Sequence, residues 1–167
     1  MHLGVHTVND ARRATRSHVR GDDKFARLLI WVPDVSVAVK WFAPDGDEED
    51  AQAEAVLRRV AAQPRHFAVP ELFFHELLAV LCRRLRQARD VAAAIDRATR
   101  LGMRRVRLDA RLVQRAARVA FDHKLTGYDA CYVALAWELD GKWLTFDEAA
   151  HRRIESMGCS ALPDLLT

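Results

Sequence analysis

Leu28-Leu29-Ile30-Trp31-Val32-Pro33-Asp34-Val35-Ser36 is the stretch that decides the fold. An apolar run of strand length ends abruptly on a carboxylate. Buried strands ordinarily run out into small turn residues, so an acid at the end needs a reason. Two are available. Asp is a favoured helix N-cap, and Ser36 to Phe42 reads as a short apolar helix-like segment behind it. Alternatively, ligands of open α/β sheets bind outside the carboxyl ends of the strands, where Asp34 would stand.

The same ending occurs once more. Lys142-Trp143-Leu144-Thr145-Phe146 is an apolar strand that stops on Asp147. Between the two lie segments of alternating type. Asp47-Glu48-Glu49-Asp50 opens a helix to about Ala62, its acids complementing the helix dipole. Phe67 to Val69 is a short strand ended by Pro70. Leu72 to about Arg86 is a helix with Leu77, Leu78, Leu81 and Leu85 on its apolar face and Glu76 beside that face. Asp90 caps a helix running to Leu101, and Gly102 stops it. A strand over 105–108 precedes an amphipathic helix from Ala110 to Lys124. Tyr128 to Ala136 is nearly all apolar, hence a buried helix, with Asp129 in its first turn. Glu148 to Met157 is a helix ended by Gly158, and Ala161 to Leu166 is a candidate last strand.

Strand alternating with helix implies an α/β fold, a mainly parallel sheet covered on both faces. At 167 residues one domain is expected, over 28–167. Residues 1–27 lack sustained periodicity and carry Arg12, Arg13, Arg16, Arg20 and Arg27. They are read as a basic, flexible arm that contacts RNA phosphates, or as sequence upstream of the domain's own start. Apolar runs fall short of a membrane span, and no signal-peptide core is present, so a cytoplasmic location is expected. Cys82, Cys131 and Cys159 lack metal-ligand spacing and read as buried small hydrophobes. The net charge of +3 permits a nucleic-acid partner without demanding one.

If the two strands are parallel neighbours, their end acids share one edge of the sheet, and Glu76 and Asp129 sit on helices expected to pack against it. Carboxylates so placed cannot all stay ionised without a counter-charge. A divalent cation with a preference for hard oxygen, Mg²⁺ or Mn²⁺, resolves this. Such an ion turns a bound water into hydroxide and neutralises charge developing on a phosphate. On this reading Asp34 and Asp129 are the main ligands, while Glu76 and Asp147 complete the shell and orient the attacking water. Singly, each acid has a plainer role: Asp34, Asp129 and Asp147 as caps, Glu76 as partner of an Arg. Other chemistries lack their residues. His75-Glu76-Leu77-Leu78-Ala79 starts like a zinc-protease motif, but Ala79 stands where the second His belongs. No Gly-rich phosphate loop is present.

Four pieces of the chain resemble PIN-domain ribonucleases, specifically VapC-type toxins of bacterial toxin–antitoxin pairs. They are Asp34-x-Ser36 with Lys40-Trp41-Phe42, Pro70-Glu71-Leu72-x-x-x-Glu76, Tyr128-Asp129-Ala130-x-Tyr132-x-Ala134-Leu135-Ala136, and Thr145-Phe146-Asp147, in family order. The resemblance implies an α/β/α sandwich, Mg²⁺ or Mn²⁺ at Asp34, Glu76, Asp129 and Asp147, and endonucleolytic RNA cleavage. It also implies a homodimer and a cognate antitoxin that blocks the site. Family members often carry Asn three residues after the second acid, where this chain has Ala79. A catalytically silent PIN-like module that binds RNA or protein is the alternative, and a metal-dependent phosphatase a third.

Overall fold

The computed structural model describes residues 29–166; the basic arm expected over 1–27 lies outside them. Five short strands form: β1 (Trp31–Pro33), β2 (Ala68–Pro70), β3 (Arg104–Val106), β4 (Lys142–Leu144) and β5 (Ser160–Ala161). β1 pairs parallel with β4, and β4 with β5. β2 pairs parallel with β3. A single parallel bridge, Trp31 to Phe67, joins the two groups. The strands therefore run β3-β2-β1-β4-β5 across the molecule, all parallel. From β1 the chain works outward through β2 to β3, then returns to the other side of β1 with β4. The turning point lies between the carboxyl ends of β1 and β4, where sheets of this kind open a crevice for ligands.

Seven α-helices connect the strands among the described residues: α1 (Val35–Ala38), α2 (Glu48–Ala62), α3 (Leu72–Arg84), α4 (Ala88–Arg100), α5 (Ala110–His123), α6 (Gly127–Glu138) and α7 (Glu148–Ile154). α6 is the central one. Ala130 and Tyr132 through Ala136 are all buried, and the helix packs on β1, β2 and β4. Its uniformly apolar sequence follows from being surrounded. α3 buries Phe73, Leu77 and Leu81, an i, i+4 stripe. Leu78, expected on that face, is instead 45% exposed.

The register of β1 on β4 brings the acids to one edge. Trp31 faces Lys142, Val32 faces Trp143 and Pro33 faces Leu144. The Asp34 N–H continues the ladder by donating to the Leu144 carbonyl at 3.0 Å, so Asp34 and Thr145 lie side by side just past the strands. Gly141 permits this pairing. A Cβ there would stand 2.3 Å from the Ile30 carbonyl oxygen, closer than any side chain tolerates.

Other expectations need correction. The α4 cap is Gln87, and Asp90 lies in the first turn, where it still faces the helix dipole favourably. The tail forms the two-residue β5 and then a 3₁₀ turn over Pro163–Leu166 rather than one strand. Cys159 is buried, but Cys82 is exposed on α3, beside the outward-turned Leu78. No helix among the described residues is long and apolar enough to cross a membrane.

Candidate active site

Asp34 is both a cap and more than a cap. Its Oδ1 accepts from the backbone N–H of Ser36 at 2.8 Å and of Val37 at 3.4 Å, which starts α1. Its Oδ2 accepts from the indole N–H of Trp143 at 3.1 Å. Trp143 is wholly buried in β4 and Asp34 is 6% exposed, so the carboxylate is fixed at both oxygens. Burial pushes its pKa up to about 6, against the lowering effect of its hydrogen bonds, and the negative charge of Asp129 adds to the rise.

Two hydroxyls stitch the loops after β1 and β4 together. The Ser36 hydroxyl donates to Asp34 Oδ1 at 2.5 Å and accepts the Phe146 N–H at 2.9 Å. Thr145, fully buried, stands 3.4 Å from it and accepts the Asp147 N–H at 3.0 Å. The chain segments carrying Asp34 and Asp147 are thus held as one unit. Asp147 itself is exposed and caps α7, its Oδ1 accepting the Ala150 N–H at 2.8 Å. Its plainer role is therefore real, and it stands at the rim rather than in the buried part of the cluster.

Asp129 is not the cap of α6. Thr126 is: its Oγ1 accepts the Asp129 N–H at 3.1 Å and donates to Asp129 Oδ2 at 2.6 Å. The carboxylate is held in the first turn of a nearly buried helix. Glu76, half-buried on α3, pairs with no Arg among the described residues; it accepts the Tyr132 hydroxyl at 2.5 Å. Burial raises its pKa, the Tyr132 hydrogen bond opposes the rise, and the charges of Asp34 and Asp129 reinforce it. Burial and the neighbouring Glu76 charge push the Tyr132 phenol well above its ordinary value, so it stays a donor.

Asp34, Glu76 and Asp129 therefore feel one another's charge, and Asp147 adjoins them through Thr145. Among the described residues, no Lys, Arg or His ion-pairs with any of the four. Nor do three His, Cys, Asp or Glu side chains among them close tightly around one point. The donors fit a hydrated ion better than a caged one. All are hard oxygens, and Mg²⁺ keeps several waters while using one or two carboxylates directly. Sequence reasoning missed Trp143 and Tyr132 as partners of the acids. Both read as core aromatics, and only their polar atoms betray the second task.

The fold has relatives among solved structures. PAE2754 from Pyrobaculum aerophilum aligns with a TM-score of 0.60 at 18% identity, over 84% of this chain and 94% of that one. VapC20 of Mycobacterium tuberculosis, a sarcin–ricin loop cleaving toxin, aligns at 0.59 and 20% identity, over 73% and 93%. A toxin–antitoxin complex from Klebsiella pneumoniae contains a chain aligning at 0.59 and 14% identity, over 79% and 96%. A comparison with curated proteins finds no match. Residues 31–155 match the PIN domain model, most of the described chain and every one of the four acids. The chain belongs to the PIN-domain family.

Proposed function

We propose that this PIN domain is a Mg²⁺- or Mn²⁺-dependent endoribonuclease and the toxin of a toxin–antitoxin pair. One observation carries the catalytic part. Three mutually repelling carboxylates, Asp34, Glu76 and Asp129, converge at the crevice between β1 and β4 without a cation from the described chain. Burial raises two of them, Asp34 and Glu76, and clustered acids so perturbed in a crevice favour a site over a scaffold. The toxin part is supported by two structural relatives, one described as an RNA-loop-cleaving toxin and one solved in a toxin–antitoxin complex. A cognate antitoxin covering the site and a homodimeric toxin follow from the same reading.

Asp34 and Asp129 would hold the ion, with Glu76 and Asp147 acting directly or through its waters. The bound ion supplies hydroxide from a coordinated water and offsets charge on the phosphate. The protein's part is orientation. Trp143 and Ser36 fix both oxygens of Asp34. Tyr132 fixes one oxygen of Glu76 and leaves the other free to orient a water and take its proton. The elevated pKa of Glu76 suits that proton transfer.

The test is induced expression followed by mapping of RNA ends. New, site-specific ends that appear with the wild-type chain and vanish with Asp129→Asn support the reading. Identical end profiles for both chains sink it.

A further inference from the structure

Beside the acids lies a groove of about 360 Å³. Leu72, His75, Glu76, Ala79 and Arg83 of α3 line it, together with Tyr128 of α6. Resting on the endoribonuclease reading above, we propose that this groove seats a nucleotide flanking the scissile phosphate of single-stranded RNA. Tyr128 stacks its base, and Arg83 holds its outer phosphate.

Three observations carry this. Tyr128 adjoins Asp129 in sequence, yet it is 63% exposed at the head of a helix whose middle turns are buried. An aromatic face left open next to reacting groups is what an unstacked base needs. Glu76, Ala79 and Arg83 form one stripe along α3, spaced i, i+3 and i+7. The seven-position step from Glu76 to Arg83 spans about 10 Å of helix axis, room for one nucleotide between acid and cation. Ala79 keeps the middle of that span clear. Arg83, finally, is exposed and has no ion pair or hydrogen bond among the described residues, whereas its neighbour Arg84 is committed to Asp45. A base held in a duplex stays stacked on its neighbours and cannot reach Tyr128.

The test uses the full chain. Cleavage of an unstructured, end-labelled oligoribonucleotide with Mn²⁺ is compared with cleavage of the same strand annealed to its complement. Binding of the labelled single strand is then measured by fluorescence anisotropy in an Asp129→Asn background, where turnover is silenced. The single strand should be cut and the duplex spared. Tyr128→Ala should bind about 10-fold more weakly and raise KM rather than lower kcat, while Tyr128→Phe matches the parent. Arg83→Ala should weaken binding and reduce the salt dependence by about one phosphate contact. Unchanged melting temperatures establish that both variants fold. Equal cleavage of duplex and single strand, or Tyr128→Ala binding like the parent, overturns this proposal while leaving the endoribonuclease reading in place. Cleavage of neither RNA by the wild-type chain fails that reading itself, and this proposal with it.

Discussion

Two acidic clusters stand among the described residues, and they are handled in opposite ways. In the first, Lys40 reaches Asp45, Asp47, Glu49 and Asp50 at 2.9 to 3.3 Å from a nearly buried position, and Arg84 joins through Asp45. Burial alone would lower the Lys40 ammonium, but the surrounding carboxylates outweigh it and hold it above its ordinary range. The Arg84 guanidinium and then Lys40 keep Asp45 below the usual carboxylate value. In the second cluster, Asp34 and Glu76 are pushed the other way, by burial first, then by the charge of Asp129 on Asp34 and of Asp34 and Asp129 on Glu76. Where the chain uses acids as scaffold, it supplies the cations itself. Where it leaves raised acids in a crevice, no cation among the described residues pairs with them, and on the proposed function the neutralising charge would come from solution.

Four changes break or sharpen that contrast. The largest effect is on catalysis: Asp34→Asn or Asp129→Asn should take Mn²⁺-dependent RNA cleavage below detection while circular dichroism shows the fold intact. Wild-type cleavage by either variant would mean the second cluster is not the site.

The second change is in pH. Asp34 has a folded pKa of about 6 against 3.8 when unfolded, so the folded state binds the proton more tightly. Its contribution to stability is present at low pH and is lost as pH rises through that window. Relative to Asp34→Asn, the metal-free wild-type chain should lose roughly 2–3 kcal/mol between about pH 4 and pH 6, read from urea midpoints. Mn²⁺ at pH 7 should restore stability to the wild-type chain alone. A difference between the two chains that stays flat with pH would remove the electrostatic half of the contrast.

Third, Lys40→Met strips the first cluster of its central cation. It should cost roughly 1–2 kcal/mol in urea unfolding, since a nearly buried cation that draws four partly exposed carboxylates together is gone. The second cluster's metal uptake should not change.

The smallest effect separates the two roles of Asp147. Asn caps a helix as well as Asp does, so Asp147→Asn should shift stability by less than about 0.5 kcal/mol. Cleavage should nevertheless fall, though less than for Asp34→Asn, because Asp147 stands at the exposed rim. Full activity in this variant would leave it a cap and nothing else.

Much of this was legible in the chain because it is local. An apolar run followed by an acid marks β1 with Asp34 and β4 with Asp147, and the nearly all-apolar Tyr128–Ala136 marks α6, buried from Tyr132 to Ala136. The strand order was not legible, since pairing β1 with β4 joins residues more than a hundred positions apart. Long separations also hid the bonds from Trp143 to Asp34, 109 positions apart, and from Tyr132 to Glu76, 56 apart. Asp47 to Asp50 read as a helix start and are one, with Asp47 as the cap. Their second role, enclosing Lys40, depends on the turn at Pro44–Gly46 folding α2 back over the preceding segment. Asp129 shows how local chemistry misleads in the other direction. As the first-turn acid of a helix it invited the cap reading, but Thr126 two positions outside the apolar run takes that role and frees the carboxylate.

The central claim is that the second cluster takes its cation from solution. Isothermal titration of Mn²⁺ into metal-stripped protein at pH 7 tests it most directly. The account predicts saturable uptake by the wild-type chain, lost in Asp34→Asn and in Asp129→Asn and retained in Lys40→Met. Uptake that survives both Asn substitutions, or a wild-type chain that takes up no ion, would contradict it.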